Sequence, residues 1–254
     1  MLAIYGGVAM KTVMVLICAT LIFGFIAVVS ADVWTDPFDG NELVDGWEFR
    51  DHRNEVTELE VKDGFLQMTN PNGGWGHTTP DKPMVEREVP KSAAKNITVS
   101  GVFSTEPDQP GSYWVGIFLY SDEDLNYACL LFGGSAGDPQ KTLIGSMVQA
   151  AWQDKGHFDT GFDVPVHLKI VKEDDVFSGY YREDEKDEWT LSGDKTWNHK
   201  FDVERVGIGF MNNWGGQTVT FFVDTLSIEG EGIKPLAVAP EGKLATIWGN
   251  LKTN

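Results

Sequence analysis

From Asp32 onward, apolar and polar residues alternate with the period of two that belongs to strands, and helical spacing is absent until the last fifteen residues. In "HLKIVKEDDVFSGYY", Val166, Leu168 and Ile170 alternate with His167, Lys169 and Val171. An acidic turn at Glu173 to Asp175 follows, and Phe177, Gly179 and Tyr181 resume the pattern, which predicts a β-hairpin. "RVGIGFMNNWGGQTVTFFVDTLSI" puts Val206, Ile208 and Phe210 on one face, turns at Asn212 to Gly216 and returns, which predicts a second hairpin and a closing strand. "LEVKDGFLQMT" predicts another, because Asp63-Gly64 supplies the positive φ angles of a tight turn.

Two further strands differ in kind. "NITVSGVFST" alternates Ile97, Val99, Gly101 and Phe103 with Thr98, Ser100, Val102 and Ser104, and reads as half-buried. "YWVGIFLYS" has two apolar faces, Val115, Ile117 and Leu119 on one and Trp114, Phe118 and Tyr120 on the other. One face must enter a core, and the second must be covered or offer an aromatic surface. Pro71 to Pro83, Glu106 to Gly111, Gly133 to Lys141 and Gln153 to Phe162 read as long connections. The expected architecture is all-β, a two-sheet antiparallel jelly-roll sandwich over residues 32–230, with long loops at its rim.

The ends differ from this body. Met10 and Lys11 precede an apolar run from Val13 to Val29, and Val29-Ser30-Ala31 offers a small-residue cleavage site, so residues 1–31 read as a signal peptide. An uncleaved anchor is the alternative, and the only expected route to a membrane. Residues 231–254 read as a Gly/Pro linker and an amphipathic tail, with Leu244, Ile247, Trp248 and Leu251 on one face of a short helix. That helix would dock on the sandwich or bind a protein partner.

Charge narrows the partners. The formal net charge is −18, and nucleic acid or anionic membrane surfaces would demand a basic patch. Removing the leader leaves Cys129 as the one cysteine, in the apolar run "NYACLLF", so no intrachain disulfide forms. The expected location is secreted or extracytoplasmic.

"DPFDGNELVDGWEF", "LEVKDGFLQM", "HLKIVKEDDVFSGYYREDEKDEWT" and "VGIGFMNNWGGQTVTFFVDTLSIEG" together resemble the concanavalin A-like lectin and glucanase superfamily over roughly Asp36 to Gly230. Within it the chain is most similar to the domains of unknown function appended to some β-xylosidases, and less closely to 3-keto-disaccharide hydrolase domains. The resemblance implies a jelly roll that holds glycans on its concave face or at its loops. The laminarinase-type Glu, Asp and Glu alternating along one strand are missing, and Glu183 to Glu188 read as a solvated turn. The Asn-Ser-Gly run and following arginine of the keto-disaccharide hydrolases are missing too, so no catalytic residue is carried over.

Sugar rings present flat C–H faces to indoles and hydroxyls to amides. Trp214, flanked by Asn212, Asn213 and Gln217, supplies both elements, while Trp75 and Trp152 read as further loop indoles and Trp114 with Tyr120 as a platform. Loop-anchoring aromatics are the alternative for the three loop indoles, and core or face packing for Trp114. Gly116, Gly207 and Gly209 would leave room on one sheet face unless neighbouring side chains fill it. Asp36, Asp39 and Asp224 would meet if the first and last strands pair, as oxygen ligands for a structural calcium, with turn capping by "DPFDG" as the alternative. The histidines lack zinc-site spacing and no Gly-x-Ser-x-Gly elbow is present. The leading expectation is a non-catalytic carbohydrate-binding module. The rivals are a glycoside hydrolase or lyase using His77, His157 or loop carboxylates, and a structural or adhesive surface protein.

Overall fold

The computed structural model describes residues 32–73, 82–121, 126–149 and 151–235, without the side chains of residues 154, 155, 157, 159, 160, 194 and 195. The leader, Trp75, His77 and the tail helix lie outside these residues. The described part contains strands and no helix.

Two antiparallel sheets form the body. The first runs, in spatial order, β13 (Thr190–Asn198), β12 (Val176–Arg182), β11 (Val166–Glu173), β6 (Asn96–Glu106), β15 (Val219–Gly230), β4 (Phe65–Asn70) and β3 (Glu58–Lys62), and β1 (Asp32–Asp36) also pairs with β15. The second runs β10 (Ala151–Phe162), β9 (Gln140–Val148), β8 (Asn126–Gly134), β7 (Tyr113–Ser121), β14 (Arg205–Asn213), β5 (Met84–Glu88) and β2 (Glu48–Arg50). The expected two-sheet sandwich is therefore observed.

Alternation fixes which side chains fill it. In β6 every second residue from Ile97 to Thr105 is buried, and in β11 Val166, Leu168 and Ile170 are buried against it. Phe221 of β15 stacks on Phe103 of the same sheet at 5.8 Å and meets Phe132 and Phe210 of the facing sheet at 6.2 and 6.0 Å. These four rings join the two layers. At Asp63-Gly64 both residues have positive φ, 53° and 83°, and the β3–β4 hairpin closes there as expected.

Two expectations are corrected. β14 and β15 are consecutive but belong to different sheets, so the Asn212 to Gly216 turn is an arch between layers rather than a hairpin. A period of two states which face is buried, not which sheet the strand joins, and Phe210 and Phe221 face each other in either case. Gln153 to Phe162 is not a loop but most of edge strand β10, bulged between Asp154 and Gly156 and again between Asp159 and Phe162. The bulges and an edge position remove the apolar alternation that would have marked it.

The first and last strands do pair, with Asp36 opposite Leu226. Asp36 is buried, yet both its carboxylate oxygens take N–H donors at 2.8 Å, Oδ1 from the Phe38 backbone and Oδ2 from Trp47 Nε1. This is the turn capping weighed above. Asp39 is exposed and Asp224 lies at a bulge of β15, so the three carboxylates form no ligand group. Among the described residues no set of three or more His, Cys, Asp or Glu does.

Candidate functional site

The outer face of the seven-stranded sheet carries the second side of β7. Trp114, Phe118 and Tyr120 join Tyr127, Leu131, Met147 and Met211 in a buried apolar layer distinct from the main core. Trp152, half-buried on β10, packs against it with its ring 6.1 Å from Tyr127. The glycines of this sheet are not vacancies. A Cβ on Gly145 would strike the Trp152 ring, one on Gly207 would meet Met84 Sδ and Tyr120, and one on Gly209 would meet the Pro83 carbonyl.

At the β2–β5 edge of this layer lies a charge cluster with no signature in the sequence. Glu86 accepts a hydrogen bond from the Tyr120 hydroxyl, pairs with Arg50 Nε at 3.2 Å and with Arg205 Nη1 at 3.1 Å. Arg205 also reaches Glu48 and Glu88, and the Arg50 guanidinium lies 5.1 Å from the Tyr120 ring centroid. Strands distant in the chain contribute each member, which is why local spacing could not show it.

The loop end of the sandwich gathers a different set. Trp214 projects from the β14–β15 arch and is 38 % exposed, while its backbone N–H donates to the Ser112 carbonyl at 2.9 Å. Ser112 Oγ accepts from Ala136 N, and Gln140 Nε2 donates to the Asp108 carbonyl, so the β6–β7 and β8–β9 connections are tied into the same rim. Gln217 lays its amide on Gly111, where any side chain would collide with it. Beneath Trp214, Asn213 Nδ2 donates to the carbonyls of Asn70 and Gln217, both at 2.8 Å. The amides of Asn70 and Asn212 are buried with neither oxygen nor nitrogen hydrogen-bonded, and Asn213 Oδ1 is unbonded as well. Buried amides without partners cost about 1–3 kcal/mol each, so their concentration at one end calls for a function.

The expected binding residues therefore divide. Asn212, Asn213, Trp214 and Gln217 come together at the loop end, with Trp114 opposite Asn212 in the β7–β14 ladder. Trp152 and Tyr120 lie at the other end, in the row Trp152, Met147, Tyr127, Tyr120 across four strands. Trp114 and Tyr120 are six residues apart on one strand, about 20 Å, so no single ligand ring touches both ends.

The eight-stranded sheet has its own cleft, of about 830 Å³, on its solvent face. Ser100, Val102, His167, Thr225 and Ser227 form the floor; the β12–β13 turn, with Glu183 to Lys186 and Trp189, forms one wall and Asp224 the other. Arg182 holds the turn, donating to the carbonyls of Glu185 and Asp187 and lying 4.4 Å from the Trp189 ring, with Lys169 Nζ 4.3 Å from the same ring. Burial, helped by Arg182, pushes the His167 imidazole below its usual value of 6.5, against the weaker opposite pull of Glu185, Asp184 and Asp224. The unfolded chain then holds more protons than the folded one between 6.5 and the lower folded value. His167 thus stabilises the fold above that window and loses its contribution as pH falls through it. Urea titrations at pH 7.5 and 5.5 are expected to show a smaller acid loss in His167→Gln than in the parent, and an equal loss would refute the assignment.

No family model and no curated protein matches this chain. Solved structures do match. The GH43 protein BlXynB from Bacillus licheniformis aligns with a TM-score of 0.60 at 17 % identity, covering 77 % of this chain and 39 % of that one. The present chain thus spans about two fifths of that relative. A β-1,3-1,4-glucanase (lichenase) from a mouse hindgut metagenome aligns at 0.54 and 12 %, covering 78 % of this chain and 99 % of its own. The CBM2 module of the Lactobacillus casei BL23 phage J-1 evolved Dit aligns at 0.54 and 11 %, covering 80 % and 97 %. The chain has the concanavalin A-like jelly-roll fold of the lichenase. At these identities the likeness is one of fold.

Proposed function

We propose that this protein is an exported carbohydrate-binding module that grips a glycan at the loop end of the sandwich without cleaving it. The supporting observation is the presence at one end of the sandwich of an exposed indole, Trp214, and of buried polar groups without partners, the amides of Asn70 and Asn212 and Asn213 Oδ1. A sugar face would stack on the exposed indole, and its hydroxyls would give the unpartnered amides their hydrogen bonds once the arch shifts to admit them. The fold neighbours, a glucanase, a GH43 protein and a carbohydrate-binding module, are consistent with this substrate class. Retaining cleavage needs a nucleophilic carboxylate and an acid about 5–5.5 Å apart, whereas Glu48, Glu86 and Glu88 are engaged together by the Arg205 guanidinium.

Affinity electrophoresis through gels of β-1,3-1,4-glucan, xylan and other soluble polysaccharides tests the reading. Trp214→Ala is expected to weaken retention about tenfold. Asn212→Ala is expected to weaken it as well while leaving the unfolding midpoint unchanged or higher, because the amide it removes is unpaired in the folded state. Undiminished retention of both variants on every polysaccharide, or no retention of the parent on any, would overturn the proposal. Release of soluble sugar by the purified protein would replace binding with catalysis.

A further inference from the structure

We infer that Asn96 is a modification site, the acceptor for an N-linked oligosaccharide, presented at the end of the sandwich away from Trp214. The inference rests on the export reading, since this modification belongs to exported chains.

Asn96-Ile97-Thr98 is the only Asn-x-Ser/Thr triplet in the chain, and its middle residue is not proline. Such a triplet is of no use if the fold hides its amide, so position decides. Asn96 opens β6 and is exposed, whereas Ile97 beside it is buried in the core. Alternation then puts Asn96 and Thr98 together on the outer face of the sheet.

The neighbouring turn holds this side chain in one orientation. Lys172, 1 % exposed, donates from Nζ to the Lys95 and Asp174 carbonyls, which ties the residue before Asn96 to the β11–β12 turn. Asp174, at a φ of 52°, donates its backbone N–H to Asn96 Oδ1 at 3.1 Å. A backbone N–H can only donate, so the amide atom that it meets is the oxygen. Nδ2 is left without a hydrogen bond among the described residues. The amide is thus fixed by one atom and open at the other, and the open atom is the one that carries sugar.

Transfer forms a bond from Nδ2 to the sugar C1 as the C1–O bond to a lipid diphosphate carrier breaks. The carrier leaves with the bonding pair, and Nδ2 gives up one proton. Oδ1 takes no part as a donor, so its bond from Asp174 survives in the product. β6 runs about 30 Å from Asn96 to Glu106, which pairs with Thr220 just after the Trp214 arch. A bulky, solvated oligosaccharide at Asn96 therefore stands clear of the loop end.

Expression of the full chain in a secretory host that attaches N-linked oligosaccharides, followed by peptide mapping in a mass spectrometer before and after amidase removal of the sugar, tests this. The secreted parent is expected to carry one oligosaccharide, on Asn96. Asn96→Gln and Thr98→Ala are each expected to lose it, while Thr98→Ser retains it. Thr98→Ala keeps the asparagine and its bond to Asp174, so its loss of sugar cannot be laid to a misfolded turn. Trp214→Ala is expected to be modified like the parent, so failure of glycan binding and failure here are separable. Secreted parent with a bare Asn96, or sugar that persists in Asn96→Gln, would overturn the inference. Parent that never leaves the cell would remove the export reading and this inference with it.

Discussion

Phe221→Ala is expected to destabilise the protein by about 3–5 kcal/mol, the range for deleting a fully buried phenylalanine. The ring has no solvent exposure and touches aromatic partners in both sheets, near-parallel to Phe103 at 13° and edge-on to Phe210 at 75°. Each neighbour is held by its own strand, so a cavity at this position cannot be filled by moving one side chain. Since typical domains are stable by only about 5–15 kcal/mol, the loss takes a large share of the total. Urea denaturation followed by tryptophan fluorescence measures it, with Phe221→Leu expected to recover roughly half. A loss below about 1.5 kcal/mol would mean that the layers collapse onto the gap.

Glu86→Ala is expected to cost about 3 kcal/mol, at the lower end of what breaking a buried ion pair costs. The carboxylate is 6 % exposed and holds two guanidiniums and a phenol at once. Its removal leaves Arg50 without that carboxylate and the Tyr120 hydroxyl without its acceptor. Arg205 keeps Glu48 and Glu88, both largely solvated, which is why the figure is not higher. Glu86→Gln is expected to lie between parent and alanine variant, because an amide oxygen still accepts from Tyr120. If the alanine variant unfolds at the parental urea concentration, the cluster is a surface network and carries no stability.

The fold was legible to the extent that burial and alternation coincide. β6, β7 and the β11–β12 hairpin could be drawn from the order of Ile97, Val99 and Phe103, of Val115, Ile117 and Leu119, and of Leu168 and Ile170. The arch after β14 could not, because the same residues satisfy a hairpin and a crossing. β10 escaped because its bulges interrupt the period on which the reading depends. In the candidate site, Trp214 with its asparagines was visible because one short segment carries most of it. Asn70 was not, since only its pairing opposite Val219 brings it beneath the arch. Glu86, Arg50 and Arg205 were hidden for the same reason, each reading as an ordinary solvated strand residue. Trp152 was read as lying in or beside a loop, and its position on an edge strand puts it at the other end of the sheet from Trp214.

One consequence concerns the order in which the molecule can form. β15 is flanked by β6 on one side and by β4 and β1 on the other, so an interior strand of its sheet is the last of the described strands. Until β15 is available, Asp32 to Asp36 has no described partner strand in that layer and Phe65 to Asn70 has only its hairpin partner β3. Long-range closure of this kind makes folding slow and late. The layer can therefore close only once residues 219–230 are in place, however early the β3–β4 hairpin forms.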